Sequence, residues 1–252
     1  MKIKLLLLLT LMPLQLIWAQ TEKAFPNYIW VDTNVTNEDG SRFGYERSSF
    51  TPIFKSCDNL PESHPCYKNE NYDSTTLLGE YKNKLMSDFV YILYDEGPSS
   101  DPIFTITDKN NTLLWSEPAE EMCINSMGTI YLSGNLNKMF NQRMKLQFAN
   151  GRVIEAKQPY YYVDVRGALL KPVKLYSEKD NKGEVIATLP VGYEIEVLLA
   201  DTNPPMNEYG YQELTTNYLV RTAFGLVGWL KLGDDDTYFM DPVIKGLGYY
   251  GD

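Results

Sequence analysis

Residues 172–198 read PVKLYSEKDNKGEVIATLPVGYEIEVL, and their pattern decides the fold. Near the end of this stretch Tyr193, Ile195, Val197 and, just beyond it, Leu199 alternate with Glu194 and Glu196. Successive side chains of a strand point to opposite faces, so the alternation predicts a strand with one buried and one wet side. Val173 to Tyr176 and Glu184 to Ile186 are two further short runs, set apart by the polar turn SEKDNKG. Short β-rich runs at close spacing with glycine turns predict a small barrel.

Outward from this core, the loop DTNPPMNEYGYQELTT (201–216) leads into NYLVRTAFGLVGWLKL (217–232). Gly225 and Gly228 predict a tight approach to the last strand, where side chains would obstruct. The order of elements over about residues 168–232 resembles the bacterial SH3-like family. Val173 to Tyr176 match that family's first strand. Glu184-Val185-Ile186, with Leu189 and Gly192, match the second, and Tyr193 to Leu199 the third. Tyr218-Leu219-Val220-Arg221 match the aromatic-x-Val-Arg strand, and Gly228-Trp229 the close. The chain departs from the pattern in two places. Val173-Lys174-Leu175-Tyr176 replaces the usual asparagine-valine-arginine start, and the 201–216 loop is longer than usual. The resemblance implies an SH3-like barrel that recognises peptidoglycan or another envelope protein. Tyr176, Tyr209, Tyr211, Tyr218 and Trp229 are its candidate binding residues, because aromatic faces hold sugars and extended peptides.

Toward the N-terminus, QPYYYVDVRG (158–167) reads as a strand joining two packed halves. MKLQFANGRVIEAK (144–157) is a hairpin. A three-residue loop, Ala149-Asn150-Gly151, would face Leu146 with Ile154 and Lys145 with Glu155; a two-residue Asn150-Gly151 turn would face Leu146 with Glu155. The three-residue loop is the expected form. Residues 89–94, 103–107, 112–115 and 129–132 read as strands, as do residues 28–31. Leu77, Leu78, Tyr81, Leu85 and Phe89 recur at helical spacing and predict a short helix over 76–89, with Gly79 against it. The expected fold class is thus mainly β: a β-rich N-terminal domain with a short helix (20–160), a small SH3-like β-barrel (161–233) and a tail (234–252) docking on the body.

The first 20 residues, MKIKLLLLLTLMPLQLIWAQ, read as an export signal. Lys2 and Lys4 precede a short apolar run broken by Pro13, and Ala19 offers a cleavage position, giving a signal peptide over 1–19. The run is shorter than the roughly 20 residues of a spanning helix, so no membrane span is expected after cleavage. A periplasmic or secreted location is the consequence, and oxidising compartments favour disulfides. Cys57 and Cys66, bracketing DNLPESHP, are the expected pair, with Cys123 as the alternative partner and the leftover thiol buried.

The formal net charge is −10. No basic stripe is present to neutralise phosphates, which argues against nucleic acid and leaves a basic protein as a second class of partner. The single histidine, His64, falls short of a metal set, and no histidine follows Cys66 or Cys123 to serve a cysteine nucleophile. Neither Ser-x-x-Lys nor Gly-x-Ser-x-Gly occurs. No catalytic residue, metal or cofactor is therefore expected. The acidic runs at 32–39, 108–112 and 234–236 lack the central glycine and terminal glutamate of calcium loops and read as solvated turns.

Overall fold

The structure, a computed structural model, describes residues 21–33, 41–67, 75–96, 101–149, 151–201, 216–233, 236 and 240–249. The signal segment and the loop carrying Tyr209 and Tyr211 lie outside these residues. The described chain is mainly strand. In order these are β1 (Ile29–Asp32), β2 (Arg42–Tyr45), β3 (Phe50–Ser56), β4 (Thr76–Tyr81), β5 (Val90–Asp95) and β6 (Ile103–Asp108). Then come β7 (Leu113–Pro118), β8 (Glu121–Ile124), β9 (Thr129–Ser133), β10 (Met144–Ala149) and β11 (Arg152–Glu155). The C-terminal part holds β12 (Tyr161–Ala168), β13 (Val173–Glu178), β14 (Lys182–Leu189), β15 (Glu194–Asp201), β16 (Thr216–Thr222) and β17 (Val227–Leu232). Among the described residues no helix is long and apolar enough to cross a membrane.

Two sheets pack face to face in the N-terminal half. One runs β1-β2-β8-β9-β10-β11 and the other β3-β4-β5-β6-β7. Phe43, Phe50, Leu78, Tyr81, Ile92, Phe104, Ile106, Met122, Ile124, Ile130 and Phe148 fill the space between them. The β2–β8 pairing is parallel and joins segments far apart in sequence, Arg42↔Glu121 through Tyr45↔Ile124. Alternation along β8 sends Met122 and Ile124 into this core and leaves Glu121 and Cys123 on the opposite face.

The expected helix over 76–89 is not formed: residues 76–81 are β4, paired between β3 and β5 in the five-stranded sheet. Leu78 faces the sandwich core and Leu77 the other side, and both are fully buried. A strand covered on both faces loses its alternation, and its adjacent leucines then mimic a helical repeat. What covers the second face is the 57–66 loop. Cys57 and Cys66 form a disulfide with Cα atoms 5.5 Å apart and pack on Leu77, Tyr91 and Leu93. His64 rests on Tyr91 with ring centroids 5.1 Å apart, and its Nδ1 accepts from the Cys66 N–H at 3.1 Å. Replacing both cysteines with serine is expected to cost about 2–3 kcal/mol through the freed loop. Urea titration would show it, with faster amide exchange at Leu77, Tyr91 and Leu93 if this loop is their cover.

The β10–β11 hairpin closes with the two-residue turn and corrects the three-residue expectation: Leu146 pairs with Glu155 and Gln147 with Ile154. Gly151 has φ +71°, as a two-residue turn of this kind requires. The register that looked mismatched in sequence is completed from outside the hairpin, because the Tyr161 hydroxyl donates to Glu155 Oε1 at 2.7 Å. Ile154 is left exposed.

The C-terminal sheet runs β12-β15-β16-β17-β13-β14 and is antiparallel throughout. Its end strands β12 and β14 do not pair, so the expected barrel is an open, curled sheet. Residues from all six strands meet in one core with Leu175, Val197, Ala200, Tyr218 and Val220 fully buried. Two pieces from outside the sheet complete that core. Met139 and Phe140 enter from the loop after β9, and Val243, Ile244 and Leu247 enter from the tail. Leu169 forms a β-bridge with Ile244.

Candidate functional site

Tyr176 and Trp229, two of the residues singled out in sequence, are cross-strand partners on β13 and β17. Tyr176 lines a shallow groove of about 460 Å³ with Lys171, Lys174 and Lys231. Lys171 pairs with Asp241 at 3.0 Å and Lys231 with Asp180 at 3.2 Å. Lys174 has no ion pair among the described residues and stands exposed. Asp236 lines the same groove, so Lys174 is its one lysine without an ion pair among the described residues, beside the Tyr176 ring.

Trp229 does not offer a bare stacking face. The Lys179 ammonium sits 5.1 Å from its centroid and 4.6 Å from that of Tyr160, with the two rings 6.0 Å apart. Asp201 holds the same ammonium at 2.5 Å and is the first cause of its raised pKa. The chain thus fills this aromatic pair with its own cation. Tyr218, also a candidate, is corrected: it is 0% exposed and packs against Phe140 in the core, so it contacts no ligand. It and Trp229 sit on adjacent strands whose side chains alternate between core and surface, and the sequence pattern does not say which residue takes which side.

Sequence reading missed a second concavity, on the outer face of the six-stranded N-terminal sheet. Its floor is laid by β1, β8, β9 and β10. Gly44 on β2 is required there, because a Cβ would lie 2.9 Å from both Cys123 and the Trp30 ring. Trp30 can therefore lie flat across the sheet, and buried Arg42 stacks on it at 5.3 Å. Arg42 also binds Glu22 and Asp32, anchoring the segment before β1. Phe25 of that segment packs on Tyr28, Trp30 and Tyr131.

Between this segment, the sheet and Tyr162 lies a half-open cavity of about 730 Å³, lined chiefly by apolar and aromatic side chains. Glu121 is 3% exposed at its wall; Oε2 accepts from Thr21 Oγ1 at 2.8 Å and Ser133 Oγ at 2.7 Å. Its Oε1, Trp30 Nε1 and Arg143 Nη1 are buried without hydrogen-bond partners. An unmatched buried polar atom costs about 1–3 kcal/mol, so three around one cavity are a substantial local debit. Cys123 lines the same cavity; burial first and then the Glu121 charge push its thiol pKa well up, which keeps it protonated. His64 covers the far face of the other sheet, beside Cys66, whose sulfur is bonded to Cys57.

A third cluster is electrostatic. Burial raises the carboxyl of Glu120 and lowers Lys138, whose charge faces it. Lys138 directly precedes the core-filling Met139 and Phe140. A carboxyl raised in the folded state favours folding below its unfolded value, near 4.5, and that contribution is lost as pH rises through the folded value. Glu120→Gln is therefore expected to raise the urea midpoint at pH 7.5 more than at pH 4.5. An equal change at both pH values would refute the assignment.

The remaining acidic motif in the described residues is spent locally: Asp108 Oδ1 accepts from the N–H groups of Asn110 and Thr112, both at 2.8 Å. Among the described residues no group of three His, Cys, Asp or Glu side chains gathers to hold a metal ion. No family model matches the chain, nor does any curated protein or solved structure at the significance required.

Proposed function

We propose that this chain is an exported envelope protein that binds peptidoglycan, or an envelope protein, through its C-terminal sheet. The observation that carries the reading is the Tyr176 groove, where an aromatic ring stands beside the exposed Lys174, which has no ion pair among the described residues. An extended, carboxylate-bearing peptide such as a wall stem suits a shallow groove with an aromatic wall and lysines along it. Sedimentation with purified sacculi at low salt tests this. The wild type is expected in the pellet, and the double change Tyr176→Ala, Lys174→Glu is expected to weaken retention by about tenfold, or 1.4 kcal/mol. Wild-type protein left in the supernatant defeats the proposal.

The net charge of −10 favours a second reading, a periplasmic inhibitor or immunity-type protein that captures a basic hydrolase. Under that reading a basic wall hydrolase co-elutes with the chain, the complex dissociates with salt, and sacculi alone retain nothing.

A further inference from the structure

The cavity on the outer face of the N-terminal sheet lies in the opposite half of the chain from the Tyr176 groove, and its chemistry is independent of that groove. Its body is apolar and aromatic, through Phe25, Trp30, Tyr131, Leu132, Met144 and Tyr162. Its volume of about 730 Å³ falls within the range of roughly 300–1,000 Å³ that small-molecule sites occupy. Apolar walls alone would specify only an oily ligand. The polar atoms specify more. Trp30 Nε1 and Arg143 Nη1 are donors that lack an acceptor, and Glu121 Oε1 is an acceptor that lacks a donor. Glu121 and Arg143 do not satisfy each other, since no ion pair joins them.

We infer that this cavity binds a small, uncharged amphiphile: an apolar chain or ring ending in a group that both donates and accepts hydrogen bonds, as a primary amide does. A hydrocarbon would leave all three atoms unmatched. A carboxylate would suit the tryptophan and arginine donors but would meet the Glu121 carboxylate, whose second oxygen is already held by Thr21 and Ser133. An ammonium would suit Glu121 but would meet the arginine. An amide supplies N–H to the one and C=O to the other two. The three atoms are closed to water, so a ligand reaches them by displacing side chains that line the cavity. Ala156, exposed at the cavity's rim, marks the mouth.

Calorimetry on the full chain at pH 7 with octanamide, octanoate and octylamine, which share one chain length, tests this. Octanamide is expected to bind about tenfold tighter than either charged probe. Ala156→Trp, at an exposed position that leaves the melting temperature unchanged, is expected to weaken octanamide binding by about tenfold. Glu121→Gln removes the repulsion and is expected to reduce the octanamide-over-octanoate preference by a similar factor. Absence of binding by all three probes at millimolar concentration overturns the inference. So does equal affinity for the three head groups, or octanamide binding that Ala156→Trp leaves intact.

Discussion

Replacing Phe140 with alanine is expected to lower the stability of the chain by about 4 kcal/mol, the largest effect of any single side chain considered. Phe140 belongs in sequence to the N-terminal half, in the loop after β9, yet it is 5% exposed within the C-terminal core. Its ring meets Tyr218 edge-on at 6.4 Å, and Met139 beside it is buried in the same cluster. Truncation removes the apolar area of the ring and leaves a cavity that the curled sheet cannot close, because the sheet is hydrogen-bonded strand by strand around it. The loss falls on both halves together, since this loop fastens one to the other. Urea unfolding followed by tryptophan emission measures it, with Phe140→Leu as the control expected to cost under about 1.5 kcal/mol. A drop below about 1 kcal/mol for alanine would mean that the loop does not seat in the C-terminal core.

The second large effect is expected at Gly167, where alanine should cost about 3 kcal/mol and release the tail. A Cβ at this position would lie 2.1 Å from the Lys245 carbonyl oxygen. Backbone cannot yield as a flexible side chain can, so the tail has to move away from β12. The hydrogen bonds from Lys245 N to Ala168 O, 3.0 Å, and from Leu170 N to Val243 O, 2.8 Å, would open with it. Leu169 and Ile244, both 0% exposed, would meet water. Limited proteolysis is expected to cut the Gly167→Ala variant within 240–249 while the wild type resists. Wild-type resistance in the variant would show that the tail is not held at this point.

Much of the β architecture was legible from alternation. Ile195 and Val197 are buried and Glu194 is exposed along β15, as alternation requires, but a bulge after Val197 puts Ala200 rather than Leu199 on the buried side. The Cys57–Cys66 pairing followed from spacing and a proline-rich loop. Leu77 and Leu78 were misread because periodicity reports one buried face, and β4 has two. The hairpin register was misread because like-with-like pairing of Leu146 with Ile154 was set above the Asn150-Gly151 turn, and the Tyr161 hydroxyl on the next strand supplies a partner for Glu155. Of the candidate contact residues, Tyr176 lies on a groove, Trp229 is covered by Lys179, and Tyr218 is interior.

The chain's own order of residues determined that it forms strands and where several of them turn, and it made Cys57 and Cys66 the expected pair with Cys123 as the alternative. Those are local properties, set by side-chain alternation, glycine turns and short loop closure. Tertiary structure alone decided which face of each strand is covered, whether the last sheet closes, and what gathers around the outer cavity. Trp30 joins Glu121, Ser133 and Arg143 there only because β2, its neighbour strand, pairs in parallel with β8, bringing segments nearly eighty residues apart side by side. Period along a strand is written in its residues; the identity of the neighbour across it is not.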